Sequence, residues 1–147
     1  MRLRKLLLSA LLAITSFSFA QITDYTPFED HFNFYLANDL GRNGYYEQKP
    51  IAELMGQMAE KIGPEFVIAA GDVHHFEGVR SVQDPLWMTN FELIYSHPEL
   101  MIDWFPILGN HEYRGITQAV LDYTKISRRW NMPARYYSRV FTKDSVT

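Results

Sequence analysis

The sequence predicts an α/β fold, a parallel or mixed sheet flanked by helices. Three observations predict it. Phe66-Val-Ile-Ala-Ala70 is an unbroken apolar run, too short for an ordinary helix and suited to a strand buried on both faces. An amphipathic helical stretch separates it from an earlier apolar run, and the order strand, helix, strand implies a right-handed parallel crossover. Each of three apolar runs then ends in a turn bearing a carboxylate, an amide or an imidazole, and functional groups of open α/β sheets collect at the carboxyl ends of strands.

The chain of 147 residues starts with Met1-Arg-Leu-Arg-Lys5, followed by an apolar stretch over residues 6–15 and the small-x-small site Ser18-Phe19-Ala20. This pattern makes residues 1–20 a signal peptide and Gln21 the mature N-terminus. The apolar run stops short of the about 20 residues a membrane anchor needs. The expected location is secreted or periplasmic, with no membrane contact after cleavage. Residues 21–147 then carry 11 basic and 17 acidic side chains, a net charge of -6. That balance gives no electrostatic footprint for nucleic acid. With no cysteine in the chain, thiolate zinc sites and cysteine nucleophiles are excluded. Hydrophobic residues at 47% against 21% charged indicate a globular domain with a real core.

Residues 32–37 read as the first strand, running into the Gly- and Asn-rich turn Asn38-Asp39-Leu40-Gly41. Pro50 suits a first helical turn, and Ile51, Leu54, Met55, Met58 and Ile62 recur at helical spacing before Gly63-Pro64. The second strand, 66–70, follows. Residues 85–97 fit a second helix with Trp87, Phe91 and Ile94 on one face, closed by His97-Pro98. Residues 104–108 fit a third strand, with Pro106 as an edge or bulge signal. Residues 116–130 fit a third helix, with Ile116, Val120, Tyr123 and Ile126 inward and Arg128 and Arg129 offsetting the dipole of its last turn. Residues 136–141 fit one more strand.

Asp72 and His75 stand three residues apart at the end of the second strand, close enough to meet one hard or borderline metal ion. The bland alternative is a turn Asp that caps the next segment beside two solvated histidines. Asp39, taken alone, is an ordinary turn residue. The crossover changes its meaning, because it brings Asp39 and Asp72 to one sheet edge. The third strand adds Gly109-Asn110-His111-Glu112 there. Asn110 offers a neutral amide oxygen, and His111 can act as a general acid near neutral pH. His74 is a candidate neighbour of the site. Arg42 and Arg114 lie beside these loops and could meet phosphate, although an Arg in such a place is usually just solvated.

Asp39-x-Gly41, Gly71-Asp72 and Gly109-Asn110-His111-Glu112, each after a strand and in this order, resemble the first three motifs of the calcineurin-like metallophosphoesterase superfamily. Residues 71–79 and 124–133, with Tyr136-Tyr137, are similar to the small tartrate-resistant, purple-type acid phosphatases. The resemblance implies the N-terminal half of an αββα sandwich and a secreted phosphomonoesterase acting on small phosphorylated substrates. It implies two metal ions that activate a water. Asp39 would bind the first ion, Asp72 would bridge both, and Asn110 would bind the second and orient phosphate. His111 would be the catalytic residue near the leaving oxygen, as proton donor or transition-state stabiliser.

Two departures qualify that picture. His75 stands where the purple enzymes carry a tyrosine, which implies a site less selective for ferric iron and not purple, suited instead to Fe(II), Zn or Mn. The family also needs further histidines downstream, and none follows His111. Asp39, Asp72, His75 and Asn110 cannot fill two coordination spheres, so residues 21–147 are expected to be the N-terminal part of a longer catalytic domain and inactive alone. Other readings are a phosphodiesterase or nucleotidase of the same superfamily, and a non-catalytic module with weak single-metal binding.

Overall fold

The computed structural model describes residues 24–142; the expected signal peptide at 1–20 and the segment 143–147 lie outside the described residues. Three strands form one parallel sheet in the order β1-β2-β3: β1 is Tyr35–Ala37, β2 is Phe66–Ala69 and β3 is Asp103–Pro106. The register pairs Leu36 with Ile68 and Ile68 with Phe105, so the three carboxyl ends lie side by side. The α/β class is therefore as expected, with the sheet wholly parallel. Among the described residues no helix is long and apolar enough to cross a membrane.

Strand β1 is shorter than the apolar run suggests. The Asn33 amide donates to the carbonyls of Phe28 and Ile62, at 2.8 and 2.7 Å, and its own carbonyl accepts from Glu65 N–H. Those bonds tie the start of the run to loops instead of to a strand ladder. Strand β3 begins and ends earlier than expected, at Asp103 and Pro106; it is an edge strand, where a proline is tolerated, and Ile107 N–H still donates to the Ala69 carbonyl at 2.9 Å.

Helix α1, Gln48–Ile62, ends at Gly63, which takes the left-handed conformation (φ 53°) and donates its N–H to Ala59. This is the usual glycine C-cap. Its buried face differs from the expected one. Ala52, Gly56, Ala59 and Ile62 are buried, whereas Ile51 and Leu54 are 50% and 61% exposed. The stripe is made of small residues because the His97 turn packs directly on it. A Cβ at Gly56 would collide with the base of the His97 side chain, which cannot swing aside. Gly56→Ala should therefore destabilise the fold by about 1–3 kcal/mol despite alanine's better helix propensity. A urea midpoint at or above the wild-type value would show that this packing is looser.

The expected helix at 85–97 forms as a shorter, distorted one: residues 86–87 are α-helical and run into a π turn, Met88–Glu92. The Asn90 amide donates to the Leu86 carbonyl at 3.2 Å, competing for an acceptor that a regular helix would use. The apolar stripe still reaches the core: Trp87, Phe91 and Tyr95 are almost fully buried. Trp87 stacks on Tyr123 at 3.5 Å, and Trp130 meets Trp87 and Phe91 edge-on. Helix α2, Thr117–Asp122, is likewise shorter than the expected 116–130 and passes into a single 3-10 turn. The Thr124 hydroxyl bonds both the N–H and the carbonyl of Met132, which pulls the chain back. Val120 and Tyr123 point inward as expected, but Ile116 and Ile126 are exposed.

Arg129 does not cap a helix. It is buried, and its guanidinium bonds the Glu92 carboxylate at 2.9 and 3.2 Å and the carbonyls of Tyr95 and Leu100. Residues 136–141 form no strand. Phe141 instead stacks on Phe66 at 4.0 Å, on the sheet face opposite the tryptophan core. That second face is only partly covered: Phe34, Leu36 and Ile107 are 45%, 68% and 47% exposed.

Candidate metal centre

Three loops meet where the strands end. After β1, Asp39 N–H donates to the Gly71 carbonyl and Gly41 N–H to the Asp72 carbonyl, at 3.2 and 3.1 Å. Gly41 lies so close to the Val73 and His74 backbone that any Cβ would clash. After β2, the chain turns through Gly71 (φ 92°) and Asp72 (φ 53°). Left-handed backbone is easy for glycine and tolerated by aspartate, and such positions gather at functional sites. After β3, Gly109 abuts the Asp72 carboxylate, and His111 N–H donates to Asp72 Oδ1 at 2.9 Å.

This meeting brings side chains from all three loops together. Ligand-capable atoms of Asp72, His75 and His111 all lie within 4.8 Å of one another. His75 Nε2 is 3.9 Å from Asp39 Oδ1 and 4.0 Å from Asp72 Oδ2. The His75 and His111 rings are 3.9 Å apart. Burial depresses the His75 pKa, and the nearby Arg42 and His111 add to the effect against the pull of Asp72 and Asp39. That favours the neutral imidazole, the form that ligates a metal. His75 Nδ1 is also buried with no hydrogen-bond partner among the described residues. Carboxylate and imidazole donors at this spacing fit a divalent ion such as Zn, Fe or Mn.

The other expected residues fall around this cluster. Asn110 is exposed on the β3 loop between Gly109 and His111. The Asp39 side chain is 54% exposed and accepts from the Asn38 amide at 2.6 Å. His74 turns the opposite way from His75. It is fully buried, edge-on to Trp87 at 4.5 Å, with Nδ1 3.4 Å from Glu112 Oε1.

Glu112 is the residue that sequence reasoning passed over. It is buried, and its carboxylate accepts from the N–H groups of Asp72 at 2.9 Å, His74 at 3.0 Å and Gly109 at 2.8 Å. One side chain thus fastens the β2 loop to the β3 loop. Burial alone would raise its pKa, but the hydrogen bonds from His74 and from the backbone outweigh that and hold it below the usual glutamate value. The available signal was its place directly after Gly-Asn-His, at the end of an apolar strand.

A family model described as calcineurin-like phosphoesterase matches residues 32–146. The chain belongs to the calcineurin-like phosphoesterase family. Relatives of this chain include purple acid phosphatase 7 of Arabidopsis thaliana, 38% identical over 98 residues, which are 67% of this chain and 30% of that protein. Tartrate-resistant acid phosphatase type 5 of Oryctolagus cuniculus is 34% identical over 87 residues, 58% of this chain and 27% of that protein. This chain therefore spans less than a third of the length of these relatives. Its fold also resembles the solved structure titled GAP50, the anchor in the inner membrane complex of Plasmodium. That likeness has a TM-score of 0.64 and 24% identity, over 72% of this chain and 35% of the other.

Proposed function

We propose that the protein is an exported, metal-dependent phosphomonoesterase of the acid phosphatase type, and that residues 21–147 are the N-terminal part of its catalytic domain. The observation that carries this reading is the convergence of Asp39, Asp72, His75 and His111 at one sheet edge in a member of this family. The half-covered apolar face of the sheet and the much greater length of the relatives support the partial-domain reading. Export rests on the residue pattern of 1–20.

Asp39, Asp72, His75 and Asn110 would hold the metal ions, Asp72 between two of them. When bound, such ions would lower the pKa of a water and offset the charge of a phosphoryl group. The rest falls to the chain. Asp72 contributes negative charge and fixes the β3 loop through the His111 N–H. His111 Nδ1 lies 2.6 Å from the Phe76 carbonyl. A carbonyl only accepts, so Nδ1 carries the proton and Nε2 remains available to the cleft. As an imidazolium, His111 can then donate from Nε2 to the leaving oxygen of the ester.

The test compares metal content and hydrolysis of phenyl phosphate in residues 21–147 and in the chain continued through its downstream reading frame. The continued chain should hold about two metal ions and cleave the ester, with chelation abolishing the activity. A metal-loaded continued chain that leaves phosphomonoesters intact would overturn the proposal.

A further inference from the structure

Beside the metal-capable cluster lies an open cleft of about 350 Å3 lined by Asp39, Arg42, Tyr46, His75, Phe76 and His111. Arg42 is its one fixed cation, and two observations set it apart from an ordinary solvated arginine. First, it has no carboxylate partner among the described residues. Its Nη1 reaches only the Gly41 carbonyl, at 3.0 Å, while the nearby Asp39 bonds Asn38 and faces His75. Arg114 differs: it is exposed, lies outside the cleft lining and bonds the Phe76 carbonyl.

Second, the backbone carrying Arg42 is held rigidly. The buried Gln48 accepts from the N–H groups of Arg42 and Gly44, at 3.1 and 2.6 Å, and donates to the carbonyls of Leu40 and Asn90. Asn43 donates from its N–H to Asn90 Oδ1 at 2.9 Å, and from its amide to the His75 carbonyl at 2.8 Å. The Arg42 loop is thus bolted to the His75 loop, so the backbone that carries the guanidinium is held at the cleft wall. A half-buried, unpaired guanidinium on a fixed loop is suited to an anion with several oxygens, which its planar fork can grip with two bonds.

We infer that Arg42 binds the phosphoryl oxygens of the substrate in the cleft that it shares with His111. The inference rests on the phosphomonoesterase reading. Arg42 grips non-bridging oxygens and orients the ester so that its leaving oxygen faces His111. Its removal therefore weakens phosphate binding while leaving every proposed metal donor in place.

The experiment uses the chain as its gene encodes it, loaded with metal, as wild type, Arg42→Gln and Arg42→Lys. Inorganic phosphate is titrated calorimetrically, phenyl phosphate hydrolysis is followed at steady state, and metal content is measured. The inference expects Arg42→Gln to keep its metal, to bind phosphate at least about tenfold more weakly and to show a raised KM. Arg42→Lys should recover part of the affinity, because it restores the charge but not the fork. An active wild type with unchanged phosphate affinity in Arg42→Gln overturns the role of Arg42 and leaves the enzyme reading intact. A wild type that binds phosphate through Arg42 but hydrolyses nothing supports the anion site and overturns the enzyme reading. A wild type that neither binds nor hydrolyses overturns both.

Discussion

If the proposed phosphatase reading holds, Asp72→Ala is expected to lose bound metal and activity together, whereas His111→Ala should keep most of the metal and turn over roughly 10²–10⁴-fold more slowly. The difference follows from position. Asp72 stands within 4.0 Å of His75 Nε2, and its other oxygen holds the His111 N–H. Losing it takes away the charge that attracts cations and the bond that sets the β3 loop. Alanine is also strained at a φ of 53°, so Asp72→Asn is the sharper variant. Asparagine tolerates that backbone and keeps an Oδ1 acceptor for His111 N–H, yet it is neutral. Asp72→Asn should therefore fold with wild-type stability and still lose metal. Unchanged metal content by elemental analysis in either Asp72 variant would refute a bridging role.

The strand ends were legible because each combines a short apolar run with a turn residue that cannot be misplaced by much. Gly71-Asp72 and Gly109-Asn110 are such cases: the runs before them fit only a buried sheet, and the residues after them must emerge at its edge. The choice between His74 and His75 was not legible from residue type alone. Adjacent residues there diverge, one towards Trp87 and one towards Asp39, and the divergence depends on the path of the folded loop. Helix α1 misled for a related reason. Periodicity finds the apolar stripe, but Gly56 and the flanking alanines face the core because His97 needs the space, and that partner is distant in sequence. Arg129 resembled a helix-end cation and proved to be a buried partner of Glu92, a pairing set by tertiary packing.

Glu112 was the least legible residue of the site, since its partners are backbone N–H groups, which have no sequence identity. It also supports the largest stability prediction. Replacing it with alanine leaves the N–H groups of Asp72, His74 and Gly109 without their acceptor, and His74 Nδ1 without its neighbour. An unsatisfied buried donor costs about 1–3 kcal/mol; the His74 bond is buried and the Asp72 and Gly109 bonds are half-buried, so the loss should be about 2–4 kcal/mol, a fall in Tm on the order of 10 °C for a domain of this size. Glu112→Gln separates this clamp from simple packing. Glutamine fills the same volume, and a packing role would be restored by it. A clamp would not be, because Asp72 and Gly109 both donate to Oε2 while His74 donates to Oε1, and an amide NH₂ must then face at least one N–H. Glu112→Gln should therefore remain well below wild type in thermal unfolding, and its metal affinity should fall as the two loops come apart. A Glu112→Gln protein as stable as wild type would show that the loops find their relative positions without the carboxylate.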